Sequence, residues 1–236
     1  MKTIKKFSII ALILNIIIFL SMAAALFVLV YQNTDGFTKA NFETFKYFTT
    51  DSNILMGLTA LLLIPFNIKS ITHEKECTPK WLTILNLVAT TSVTLTLLTV
   101  VFFLAPIDAN TKGYFSAFTG TNAFYHFAIP VLAIINFTLF ETKNRIKFKH
   151  CFFAIIPMAI YACFYIAYQV MHMNGNVLDK RADFYHFVFG NSIYTTLYTT
   201  LPIMLIVTFL IAYLLFISYY FRRKSIYKTS FKFDLD

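Results

Sequence analysis

Two polar stretches in an otherwise apolar chain contain residue types that could do chemistry. One holds Thr49, Thr50, Asp51 and Asn53 within five consecutive residues, and the other carries a single imidazole, His126. A hydroxyl beside an imidazole is the minimum for nucleophilic acyl transfer, because the ring takes the proton while the oxygen attacks. The sequence therefore favours a threonine nucleophile, Thr49 or Thr50, with His126 as the general base.

Three further polar residues could assist such a pair. Asp51, Asn53 or Asn122 could orient the imidazole or stabilise an oxyanion. These residues also have a structural interpretation, which stays open. Thr, Asp, Ser and Asn commonly cap the unsatisfied N–H groups at a helix start. A histidine in a membrane helix can simply hydrogen-bond to a neighbouring helix.

The histidine belongs to a regular stripe of residues. Spacings of four and three place five residues on one helical face: Asn122, His126, Ile129, Ala133 and Asn136. We expect this face to point into a helix bundle. Pro130 loosens the helical hydrogen bonding and could widen the space beside His126.

The tetrapeptide Phe-Tyr-His-Phe occurs twice, at 124–127 and again at 184–187. Both copies precede or open an even-numbered apolar segment. Aromatic residues are enriched where membrane helices meet water, so we attribute the repetition to an aromatic belt.

The elements that position these residues are predicted to be membrane helices. Hydrophobic residues make up 58% of the 236 residues and charged residues only 13%. A soluble domain has about a quarter of its residues charged, and a bilayer core needs about 20 apolar residues per helix. The prediction is an all-α, polytopic membrane protein forming one transmembrane domain. Its six transmembrane helices are expected at about 8–30, 51–69, 81–105, 120–140, 151–171 and 192–220.

The positive charges predict how these helices are oriented. Fifteen of the 20 Lys and Arg residues fall in one set of loops and termini, and five fall in the opposite set. Because basic residues accumulate on the cytoplasmic side, both termini are expected in the cytoplasm, with residues 221–236 as a basic cytoplasmic tail. The clustering between apolar runs favours membrane topology over nucleic-acid binding. We expect a multi-pass protein of the cell membrane, namely the bacterial cytoplasmic membrane.

Two segments carry a family resemblance. The stretch FKYFTTDSNIL at the start of the second helix and FYHFAIPVLAIINFTLFE in the fourth resemble the androgen-induced-protein-like six-helix membrane family and its bacterial relatives. Eukaryotic members are lipid hydrolases that cleave fatty-acid esters of hydroxy fatty acids with a threonine nucleophile and a histidine. The resemblance implies that Thr49 is the nucleophile, with Thr50 as the alternative, and that His126 is its partner.

Three hypotheses about function follow. The first is a threonine-dependent lipid esterase that acts on membrane lipids and opens to the outer half of the bilayer. The second is a small transporter or lipid-binding module, and the third is a non-catalytic accessory protein. Cys77, Cys151 and Cys163 form no metal-binding pattern with the histidines, so no metal or other cofactor is expected.

Overall fold

The computed structural model describes residues 2–31, 42–110, 112–141, 146–174, 177–178, 185 and 196–227. This part of the chain holds six helices long and apolar enough to cross a membrane. They are α1 (Ile4–Tyr31), α2 (Phe48–His73), α3 (Lys80–Ile107), α4 (Thr121–Phe140), α5 (Phe148–Met171) and α6 (Leu197–Ile226). The prediction of a helical protein with six candidate membrane spans is confirmed. A two-residue antiparallel pair, Met173–Asn174 with Val177–Leu178, follows α5.

The helix bounds differ from the predicted spans mainly at charged ends. The helix of α1 begins at Lys2, and that of α6 continues to Tyr227, seven residues beyond the predicted end of its span. Lys and Arg favour helix, and their long side chains can carry the charge away from an apolar surface. The first part of the predicted tail is therefore helical. Residues 192–195 and 228–236 lie outside the described residues.

Irregular turns recur immediately before prolines. Four irregular turns each end two residues before a proline. Three are π turns: Val100–Leu104 before Pro106, Phe124–Ala128 before Pro130, and Thr196–Thr200 before Pro202. The fourth is the 3₁₀ segment Phe148–Ile155, before Pro157. Proline lacks an N–H and its ring clashes with the carbonyl four residues earlier, so the preceding turn widens or tightens. Pro65 is an exception, because it lies inside the regular helix of α2. A further π turn, Asn136–Phe140, closes α4 without a proline.

Helices α1 and α2 pack as an antiparallel pair. At one end the Lys5 ammonium lies 2.9 Å from the Glu74 carboxylate. Farther along, Gly57 lets α1 approach so closely that an added Cβ would lie 2.9 Å from the Cβ of Met22. Helix α4 runs parallel to α2, since contacts join their starts and their ends. We call the end where α2 and α4 begin the Thr49 end, and the opposite end the Lys5 end.

Helix α3 is the most buried of the six, and it contacts α2, α4, α5 and α6. Its buried hydroxyls bond within their own helix: Thr91 donates to the Leu87 carbonyl at 2.8 Å, and Thr94 to the Thr90 carbonyl at 2.7 Å. These bonds satisfy both hydroxyls without help from outside the helix, whereas the Thr96 hydroxyl also lies 3.0 Å from the Ser52 hydroxyl of α2. The hydroxyl stripe of α3 is thus compatible with a packed interior.

Candidate functional site

The start of α2 is held by a tyrosine from a distant part of the chain. The Phe48 N–H donates to the phenol oxygen of Tyr185 at 2.8 Å. Tyr47, the residue before the helix, makes no side-chain capping hydrogen bond to it. The polar residues from 49 to 53 therefore lie inside the helix, where they do not act as caps. Tyr185 supplies the acceptor that a helix start needs.

Thr49 faces a small cavity at this end of the bundle. The cavity has a volume of about 30 Å³, and its wall includes Thr49, Thr96, Thr99, Tyr161 and Tyr185. Such a volume corresponds to roughly one or two water molecules. Thr49 is half-buried and its hydroxyl also interacts with the Tyr185 phenol. The hydroxyl thus lies at a mainly apolar cavity that is too small for a lipid substrate in this conformation.

Thr50 and Asn53 point to different neighbours. The Thr50 hydroxyl is buried and lies 3.3 Å from the hydroxyl of Thr44. The Asn53 amide nitrogen donates to the Thr49 carbonyl at 2.7 Å and to the Tyr125 carbonyl at 3.1 Å. One amide thus joins the starts of α2 and α4. Because an amide nitrogen carries two hydrogens and both are used, Asn53 has none left for an oxyanion in this arrangement.

His126 packs under the turn that precedes α4. Its Nδ1 lies 2.6 Å from the Ala117 carbonyl, and its ring meets Phe118 edge-on with centroids 6.5 Å apart. A carbonyl oxygen can only accept, so Nδ1 carries the proton and Nε2 of the neutral ring is a hydrogen-bond acceptor. Among the described residues, no hydrogen bond joins His126 to Thr49 or Thr50.

The buried face of α4 differs from the predicted stripe at its beginning. Ile129, Ala133 and Asn136 are buried as expected, but Asn122 is exposed and His126 only half-buried. Tyr125 occupies the interior position instead, with its phenol donating to the Met22 carbonyl at 3.4 Å. The π turn Phe124–Ala128 explains the difference, since it holds an extra residue and rotates the preceding positions around the helix.

Asp51 lies on a groove between α2 and α5. The groove has a volume of about 270 Å³. Its walls are apolar apart from Asp51, Ser52 and the phenol of Tyr161. Asp51 is exposed there, away from the Thr49 cavity. The structure thus places Thr49, Thr50 and Asp51 on different faces of the same helix, with Asn53 one turn beyond Thr49.

Two tyrosines at this site were not predicted. The Tyr161 hydroxyl donates to the Lys46 carbonyl at 2.7 Å. Burial raises the pKa of Tyr185 to about 12, so its phenol is neutral at physiological pH. The repeated tetrapeptide contained a signal for Tyr185. The tyrosine of each copy, Tyr125 in the first and Tyr185 in the second, is buried and forms a hydrogen bond with a backbone group. His186 lies outside the described residues.

A second polar cluster, also unpredicted except for Asn136, lies toward the Lys5 end. The Glu141 carboxylate accepts from the Asn67 amide at 2.8 Å and from the Asn15 amide at 3.1 Å. Asn136 donates to the Asn15 side-chain oxygen at 2.8 Å. All four side chains are buried, and they connect α1, α2 and the end of α4. We call these residues the Glu141 cluster. Its sequence signal is an isolated amide in each of three apolar segments.

The described residues contain no group of three His, Cys, Asp or Glu side chains arranged to hold a metal ion. Comparison of the chain with protein-family models, with curated proteins and with solved structures found no match.

Proposed function

We propose that this protein is an intramembrane lipid-ester hydrolase in which Thr49 is the nucleophile and His126 the general base. The observation that carries the proposal is the Asn53 amide, which binds the carbonyls of Thr49 and Tyr125 and so joins the two site-bearing helix starts. Thr49 is favoured over Thr50 because the Thr49 hydroxyl lines a cavity, whereas the Thr50 hydroxyl is buried against Thr44.

The chemistry would proceed through an acyl-threonine. The Thr49 oxygen attacks the ester carbonyl while its proton passes to His126 Nε2, and the departing alkoxide leaves as an alcohol with that proton. Water, deprotonated by the same nitrogen, then releases the fatty acid. The bond from Nδ1 to the Ala117 carbonyl fixes the tautomer that this role requires. The Tyr185 hydroxyl beside Thr49 is the donor that would stabilise the oxyanion.

The proposal includes the surroundings of the enzyme. The family would be the androgen-induced-protein-like one, and the substrate a lipid ester taken from the bilayer. The Lys5 end, with most of the basic residues, would face the cytoplasm together with both termini, which places the Thr49 end in the outer leaflet of a bacterial cytoplasmic membrane.

Covalent labelling tests the nucleophile. A fluorophosphonate probe should label the detergent-purified protein, and Thr49→Ala should abolish the label. Thr50→Ala serves as the matched control and should retain it, because the two hydroxyls are adjacent in sequence but face different surroundings. Labelling that survives in Thr49→Ala would refute Thr49 as the nucleophile, and labelling that survives in a variant carrying both Thr49→Ala and Thr50→Ala would refute a threonine nucleophile at this site.

A lipid-binding module without catalysis is the second candidate. One observation favours the absence of catalysis: the described residues show no hydrogen bond between Thr49 and His126. In this case lipid binding would remain unchanged when the Thr49 hydroxyl is removed, and purified protein would release no fatty acid from any lipid ester.

A further inference from the structure

The groove between α2 and α5 opens sideways, onto the surface that faces lipid. Its walls include Leu55, Pro157, Ile160 and Phe164, and the last two are 67% and 42% exposed. Pockets for drug-sized ligands have volumes of about 300–1,000 Å³, so a groove of about 270 Å³ suits only a section of a lipid, such as the part between headgroup and upper acyl chain.

Asp51 gives this groove a negative charge that none of the described residues neutralises. No cationic side chain among the described residues pairs with its carboxylate. The nearest cation along the chain, Lys46, lies 3.2 Å from the carboxylate of Glu43 instead. A carboxylate on an apolar groove of a candidate membrane helix, paired with none of the described cations, indicates a binding role.

We infer that this groove binds a phospholipid with a primary ammonium headgroup, its ammonium on Asp51 and its acyl chain along Leu55, Ile160 and Phe164. An ammonium group supplies both the charge and the N–H donors that a carboxylate accepts. An anionic headgroup would be repelled by Asp51. A soluble amine would leave the apolar walls unused.

The groove also adjoins the Thr49 cavity. Phe48 and Tyr161 line both spaces, so these two aromatic side chains form the partition between them. A lipid held on Asp51 would therefore present the region next to its headgroup to this partition. The binding site stands independently of catalysis, whereas naming the bound lipid as the substrate rests on the proposed function.

Tryptophan quenching by brominated lipids tests the binding. Trp81 is the single tryptophan, so Trp81→Phe provides a silent background. Ile160→Trp then places a reporter in the groove, with Phe164→Trp as a second reporter if the first variant does not fold. Phe102→Trp is the control, because Phe102 is 74% exposed on α3 toward the same end of the bundle. Every variant also carries Thr49→Ala, so that no turnover alters the lipid and binding is measured apart from hydrolysis.

Two series of vesicles are used. The first is phosphatidylglycerol with increasing fractions of brominated phosphatidylethanolamine, and the second is phosphatidylethanolamine with increasing fractions of brominated phosphatidylglycerol. The groove reporter should show about fivefold preference for phosphatidylethanolamine, as expected for one partly exposed ion pair. Asp51→Asn should abolish this preference, and the control reporter should show none. Equal quenching by the two lipids at the groove, preference for phosphatidylglycerol, or a preference that survives Asp51→Asn would overturn the inference.

Discussion

Replacing Asn15 by leucine should destabilise the bundle through the Glu141 cluster. The change removes two hydrogen bonds, one to the Glu141 carboxylate at 3.1 Å and one from the Asn136 amide at 2.8 Å. The Asn136 side-chain oxygen has no hydrogen-bond partner among the described residues. Because the substitution also removes the partner of the Asn136 amide nitrogen, the buried side chain of Asn136 is left without either hydrogen bond. Interhelical hydrogen bonds in membranes are worth about 0.6 kcal/mol each, and an orphaned buried polar group costs about 1–3 kcal/mol. We therefore expect the free energy of unfolding to fall by about 2–4 kcal/mol.

A double-mutant cycle separates the hydrogen bonds from the loss of bulk. Asn136→Leu alone should also destabilise, but Asn15→Leu with Asn136→Leu should cost less than the two single changes together, because the double variant has no orphaned amide. Unfolding is followed by titration of micelles with sodium dodecyl sulfate. Asn122→Leu is the matched control, since the Asn122 amide is exposed and lies on α4, the helix that also carries Asn136. Full additivity, or Asn15→Leu as stable as the control, would refute the reasoning.

Three further predictions concern the Thr49 end and the close approach of α1 to α2. Gly57→Ala should lower the free energy of unfolding by about 1–3 kcal/mol in the same titration, because the new Cβ overlaps Met22; Met22→Ala should restore part of the loss, and no restoration would contradict the overlap. Tyr185→Phe should lower the free energy of unfolding by about 1–2 kcal/mol and speed hydrogen exchange of the Phe48 amide, because it removes the acceptor of that N–H. Unchanged exchange would contradict the hydrogen bond between Phe48 and Tyr185. Asn53→Leu should lower the free energy of unfolding by a similar amount and greatly reduce fluorophosphonate labelling of Thr49. Full labelling would show that the Asn53 hydrogen bonds between α2 and α4 do not position the site.

The number of helices could be predicted from the sequence because a bilayer demands about 20 apolar residues per crossing. Each of the six apolar runs contains a membrane-length helix in the structure. The bounds were less predictable, since hydropathy reports where the apolar residues stop and not where helical hydrogen bonding stops. In α6 the basic residues Arg222, Arg223 and Lys224 continue the helix beyond its apolar part.

The face of α4 was predicted correctly only from Ile129 onward. Counting in steps of three and four assumes a uniform helix, and that assumption holds from Ile129 to Ile135. It fails at Phe124–Ala128, where Tyr125 takes the interior position and His126 is turned toward Ala117. The position of Pro130 was visible in the sequence, so the regular occurrence of irregular turns before prolines could have served as a warning.

The polar contacts between helices could not be predicted, because they depend on pairs that are distant in sequence. Asn15 and Glu141 are separated by 126 positions, and Phe48 and Tyr185 by 137. Isolated amides in apolar segments indicate that partners exist, but the side on which each one finds its partner follows from how the helices pack. Thr49 and His126 illustrate the same limit: shared depth was inferable, contact was not.

The wide turn in α4 makes the position of the imidazole sensitive to chain length. A π turn contains one residue more than a regular turn, so deleting a single residue within 124–128 would convert it to ordinary α-helix while the helix from Ile129 onward keeps its packing. Residues before the wide turn would keep their orientation, because the deletion removes the extra residue that this turn absorbs. Loss of residue 127 or 128 would leave His126 two positions before the buried Ile129, about 200° around the helix from it, so the imidazole would face away from the interior.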